Sequence, residues 1–167
     1  MNRSPIGAVC SFLALTLVAA VAPIPLQAQE KAASLEELAK KSDVIAVGKV
    51  RERRASWDAK RTRIETTITM EVDEVLKGSA GRTIEIVTPG GEVGGVGEAY
   101  SHTPSFSRDE ELVVFVVKDR ENRFRVAGGT SGKRSIATDA ASGEKLVGGK
   151  KRLADFSAEV KNAGRGN

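Results

Sequence analysis

Residues 64–72 alternate without a break: Ile64, Thr66, Ile68, Met70 and Val72 are interleaved with Glu65, Thr67, Thr69 and Glu71. A period of two puts one set on a covered face and the other in water, which predicts a half-buried strand. Such alternation belongs to antiparallel sheets rather than to parallel sheets covered on both faces. The rest of the chain has to pair with that strand.

Residues 44–50 read as a second strand, with Gly48 marking a bulge or a close backbone approach. The 64–76 segment ends at Gly78 before a turn, and residues 83–88 give another strand. Residues 112–117 are apolar at every position, so they belong in the centre of the sheet, where neither face meets water. Residues 124–126 follow a turn at 119–122, and residues 132–138 and 144–147 are expected to pair around 139–143.

Two short helices frame the strands. Ser34 is an N-cap, Glu36 and Glu37 fall in the first turn and Lys40 and Lys41 in the last, which suits the helix dipole. Leu153, Phe156 and Val160 recur at helical spacing before a tail at 164–167. Short strands with only terminal helices predict a mainly β domain, a small antiparallel barrel or sandwich over residues 29–163.

The N-terminus carries Arg3, an apolar run at 12–22, then Pro23, Pro25 and the small residue Ala28. That order reads as a secretory signal peptide over residues 1–28 cleaved after Ala28, and places the product in the periplasm or outside the cell. Cleavage removes Cys10, the single cysteine, so no disulfide staples the domain and packing alone must hold it. One histidine and no remaining thiol argue against a metal centre, and no cofactor is implied.

The glycine-rich stretch 89–97 invites comparison with a dinucleotide loop, but no helical pattern follows to carry the anion, so the glycines are read as supplying positive φ angles in a wide turn. Residues 128–134 lack the first glycine and the hydroxyl of a phosphate loop, and the second glycine of a nucleophile elbow around Ser131. His102 lies among hydroxyls in a loop, and a triad needs an acidic residue whose position a sequence does not show, so it is read as a solvent-facing or locally hydrogen-bonded loop histidine. Asp109, Glu110 and Glu111 alternate faces on an extended chain and read as a solvated start to the next strand rather than a paired acid and base.

Charge is uneven. Lys49, Arg51, Arg53, Arg54, Lys60, Arg61 and Arg63 stand against only Glu52 and Asp58. If 44–53 and 61–76 form a hairpin, these cations gather at its tip around Trp57, where an aromatic among positive charges could hold a polyanion. A plain solvated hairpin end, with Trp57 folded onto the rim, is the competing reading.

Several segments together carry a family resemblance. They are Ser42-Asp43-Val44-Ile45-Ala46-Val47-Gly48-Lys49-Val50, Glu71-Val72-Asp73-Glu74-Val75-Leu76-Lys77-Gly78, Pro89-Gly90-Gly91 with Gly94-Gly95-Val96-Gly97, and Pro104-Ser105-Phe106 before Glu111-Leu112-Val113-Val114-Phe115. Over roughly residues 36–136 the chain resembles exported bacterial proteins similar to the OB-fold barrels of netrin modules and tissue inhibitors of metalloproteinases. The resemblance implies an OB-like barrel and a binding role, with a protease-associated exported protein as partner by analogy. Tissue inhibitors chelate the protease zinc through an N-terminal cysteine, which the cleaved chain lacks, and no H-E-x-x-H motif is present.

The expected function is a non-enzymatic binding or accessory module. Its contact surface would be the 89–109 loop, with His102, Pro104 and Phe106 as contact residues. The alternative is an envelope glycan or lipid headgroup held by Arg53, Arg54, Trp57 and Arg61. Export disfavours nucleic acid. A hydrolase using His102 ranks third.

Overall fold

The structure, a computed structural model, describes residues 33–165; the expected signal peptide, with Cys10 and the expected cleavage after Ala28, lies outside these residues. The domain opens with α1 (Leu35–Lys41), held by a capping box in which Ser34 Oγ accepts from Glu37 N and Glu37 accepts from Ser34 N. The expected cap and charge order are both present.

β1 (Val44–Trp57) and β2 (Ile64–Lys77) form one long antiparallel hairpin, and β3 (Thr83–Pro89) continues it. The glycine-rich segment then makes a small separate ribbon, β4 (Gly91–Val93) with β5 (Val96–Glu98). β6 (Glu111–Lys118) pairs antiparallel with the first half of β1 and with β7 (Phe124–Val126). β7 returns beside β3 through Ile86 and Phe124 in parallel orientation. The five strands β1, β2, β3, β7 and β6 thus close a ring.

The sheet is mixed where the sequence predicted antiparallel pairing throughout. The reason is geometric: directions cannot alternate all the way round a closed ring with an odd number of strands, so one pair must run parallel. β8 (Lys133–Thr138), β9 (Lys145–Val147) and β10 (Lys151–Arg152) extend the sheet from β6, with β8 and β9 paired as expected. The closing helix α2 (Leu153–Arg165) runs through Gly164, past the expected end of the domain, and Gly164 lies beside the Lys77 methylenes.

Two apolar clusters share the strands. Ala46, Val50, Ile68, Met70, Ile86, Leu112, Val114 and Val116 fill the inside of the ring. Ile45, Val47, Val113 and Phe115 face the other way and are covered by Leu38 of α1 and by Phe156 and Val160 of α2. This double covering is why residues 112–117 are apolar at every position. Gly48 sits at a register shift, where a Cβ would lie 2.0 Å from Glu71 O, so the hairpin closes only around a residue without a side chain.

The last of three register shifts in this pairing falls between Val50 and Glu52. One extra residue exchanges the faces of everything after it. Before it, Val44, Ala46 and Val50 face inward; beyond it, Arg53 pairs with Ile68, Ala55 with Thr66 and Trp57 with Ile64, so the odd-numbered residues take the inward face.

Candidate functional site

Beyond Val50, whose backbone still bonds Asp109 and Glu110, β1 pairs with β2 alone; this distal stretch of the hairpin forms an arm that β3 backs along β2 as far as Glu65. The turn joining them is held by Asp58. Its carboxylate accepts from Thr62 N and Thr62 Oγ1, its N–H donates to Arg63 O, and Arg61 takes a left-handed conformation with φ 54°. The Thr62 hydroxyl, aided by the Thr62 and Arg63 amides and the Arg63 charge, holds the Asp58 carboxyl below its ordinary range against the cost of desolvation.

The basic patch read from the sequence is divided by this geometry. Arg51 donates to Glu71 at 2.6 Å and, with Lys49, reaches Asp109. Arg54 takes Glu52, one strand period away on the same face, and Arg63 takes Glu65 at 3.1 Å. Arg53, Lys60 and Arg61 form no ion pair among the described residues. The count of cations therefore overstates the field at the tip, because bulged and alternating positions bring the carboxylates of β2 and of the 89–109 segment against them.

On the outer face, Glu65 breaks the alternation that defined its strand. Its side chain is only 8% exposed, and Arg63, Arg123 and Arg125 all contact it. Asp119 receives Arg123 N, Glu121 N and both guanidiniums of Arg123 and Arg125, and its carboxyl falls to about 2, chiefly through the Arg123 amide. Burial opposes ionisation of Glu65, but Arg125, then Arg123 and Arg63, overcome it and hold the pKa low. Glu65 and Arg123 line a groove of about 580 Å³ with Ser56, Thr67, Val87 and Asn122. The two carboxylates are locked ionised, the opposite of what a general acid needs near neutrality.

The 89–109 loop packs against the other face of the arm. Gly90 and Gly91 have φ of 92° and 139°, and a Cβ on Gly91 would meet Thr66 Oγ1 at 2.6 Å and Ala55 Cβ at 2.9 Å. Thr66 Oγ1 donates to Gly90 O, and Glu98 accepts from both Ile64 N and Tyr100 OH. Gly94 and Gly95, both with positive φ, turn the ribbon, so the sequence reading of these glycines holds.

The second half of the loop is pinned. Phe106 is 3% exposed and belongs to the core inside the ring, and Pro104 is buried. Lys133 Nζ donates to Ser105 O at 2.5 Å, pairs with Glu110 at 2.6 Å and stands 5.2 Å over the Phe106 ring. Glu110 also accepts from Ser135 Oγ and Ser107 N; burial opposes its charge, but Lys133 and these donors keep its pKa low. Phe106 and Pro104 are buried and anchor the loop, and both also line the cleft between loop and arm. One expectation is corrected: Glu110 is a half-buried tie rather than a solvated residue.

His102 is exposed at an outer bend with φ 62°, and its carbonyl lies where a Cβ on Gly129 would come within 2.6 Å. Between arm and loop runs a cleft of about 330 Å³, with Arg53, Thr66 and Ile68 on one side and Tyr100, Thr103, Pro104 and Phe106 on the other. The structure thus brings Arg53 of the basic hairpin to the residues singled out in the loop, while Arg54 takes the opposite face. Trp57 is 37% exposed, Tyr100 46% and Val96 49%. Sequence reading missed Tyr100, Val96, Glu98 and Thr66, since nothing in their spacing announces that the ribbon folds onto the arm. No family model and no curated protein sequence matches the chain.

Proposed function

We propose that this protein is an exported, non-enzymatic binding domain built on an OB-like barrel, with its contact surface where the 89–109 loop packs on the distal β1–β2 arm. The ring order β1-β2-β3-β7-β6, closing on β1, supports the barrel as a five-stranded Greek-key closure. One observation carries the binding role: among the described residues, the exposed large hydrophobics Trp57, Val96 and Tyr100 all belong to the arm and the loop against it. Isolated exposed apolar residues are ordinary, but their confinement to the arm and its loop marks a contact surface. The loop is held by Phe106 and Lys133, so that surface is preorganised and little ordering cost falls on binding.

The test is photocrosslinking in the native envelope. A photoreactive residue in place of Val96 or Tyr100 should give a discrete adduct, and the same residue at exposed Lys150 should give none. Adducts of equal yield from all three positions, or from Lys150 alone, would place the contact surface elsewhere and end this reading.

A second reading, an anionic glycan or lipid headgroup at the hairpin tip, draws on the unpaired Arg53, Lys60 and Arg61. It predicts retention on an anionic polysaccharide matrix that falls steeply with salt and disappears on reversing Arg53 and Arg61. Retention unchanged by either would remove it.

A further inference from the structure

The arm leaves one strand edge open. Past Lys49, β1 keeps β2 on one side, while no strand pairs with the other side of residues 53–57 among the described residues. The direction of the backbone groups follows from the turn. Asp58 N donates to Arg63 O, so 58 and 63 are a bonded pair; Ile64 correspondingly points away from β1, its O accepting from Gly90 N and its N donating to Glu98. Alternation then turns the N–H and C=O of Trp57, Ala55 and Arg53 outward, while those of Ser56 and Arg54 face β2.

Outward backbone groups at every second residue are a template for another strand. The side chains beside that template are Arg53, which has no counter-ion among the described residues, and Trp57; Lys60 and Arg61 lie just past its end. A second copy of this chain is a poorer occupant, because an antiparallel copy centred on residue 53 or 54 sets two guanidiniums opposite each other and one centred on residue 55 sets Arg53 opposite Trp57, so that no register brings Arg53 a carboxylate from the copy's edge. We propose that the open edge of β1, residues 53–57, receives an extended acidic segment of a partner protein as an added strand. The proposal rests on the binding surface inferred above and names the chemistry of its partner. A strand added there lies beside the cleft, and its inward acidic residues meet Arg53.

The probe is a capped octapeptide of alternating Glu and Val, with the Lys/Val counterpart and a version N-methylated at alternate residues as comparisons. On adding the Glu/Val peptide, amide exchange should slow at Arg53, Ala55 and Trp57, with Arg54 and Ser56 unchanged because they already bond β2. Ala55→Pro removes an outward N–H that β2 does not use, and should weaken binding at least tenfold. Arg53→Glu should weaken it as much and transfer preference to the Lys/Val peptide. N-methylation tests the same contact without altering the protein.

Equal affinity for acidic and basic peptides, equal affinity after N-methylation, or absence of binding would overturn the proposal. So would exchange protection at 53, 55 and 57 that rises with protein concentration in the absence of peptide, which would assign the edge to a second copy. If crosslinks from positions 96 and 100 persist while the peptide fails, strand addition falls and the contact surface stands. If those crosslinks fail while the peptide gives the alternating protection, the reverse holds.

Discussion

Phe106→Ala tests whether the 89–109 loop is anchored through the core. Phe106 is 3% exposed and packs among the side chains inside the ring, so its truncation leaves a cavity as well as losing transfer energy, together about 3–5 kcal/mol. The ring also lies 5.2 Å below the Lys133 ammonium, a contact that adds about 0.5–1 kcal/mol. A total near 4 kcal/mol is a large part of the roughly 5–15 kcal/mol that holds a domain folded. For a domain of this size it lowers Tm by about 12–20 °C. Scanning calorimetry measures that shift, and Phe106→Leu, at a cost of about 1–1.5 kcal/mol, separates lost volume from lost aromaticity. Hydrogen exchange should quicken over residues 99–107 in the alanine variant more than in the sheet. A fall in Tm below about 4 °C with exchange unchanged at 99–107 would refute the anchoring role and return Phe106 to the contact surface.

Other perturbations test the remaining supports. Gly48→Ala drives a Cβ to 2.0 Å from Glu71 O and should cost about 2–3 kcal/mol in urea unfolding; a neutral result would mean the register shift relaxes freely. Glu65→Gln removes the charge that offsets Arg63, Arg123 and Arg125, and denaturant titration should find about 3 kcal/mol lost. Glu65, Glu110 and Asp119 have folded pKa values below their unfolded ones, so their stabilisation is present above the ordinary carboxylate range of about 4 and is lost as pH falls through the lowered values, which for Asp119 is about 2. Asp119→Asn should flatten that acid limb, and an unchanged limb would contradict the assignment. Trp57→Ser and Tyr100→Ser should each alter unfolding free energy by less than about 1 kcal/mol, since both side chains are substantially exposed.

Much of the scaffold was legible because it is encoded locally. Alternation at 64–72, continuous apolarity at 112–117, the Ser34 cap and the spacing of Leu153, Phe156 and Val160 each report a period or a cap that a few neighbouring residues determine. Gly48 announced a close approach, and the structure supplies its partner in Glu71. Glu65 misled for the same local reason. Its position in an alternating strand says solvent, and only Arg123 and Arg125, arriving from β7 and the turn before it, make that face a covered ion cluster.

By itself the sequence determined most of the strands, though not the β4–β5 ribbon, β10 or the distal half of β1, together with which face of most of them is apolar and where the chain can turn, because those properties depend on residues close together in the chain. Tertiary structure decided what the local pattern could not hold. It set the parallel β3–β7 pair that an odd ring requires, the bulge that exchanges the faces of β1 after Val50, and the neutralisation of most of the basic patch by carboxylates. It also drew Phe106 inward and left Trp57 of the arm and Val96 and Tyr100 of the loop exposed. Each of these depends on two or more segments meeting, and a meeting distance is a property of the closed ring rather than of any stretch of chain.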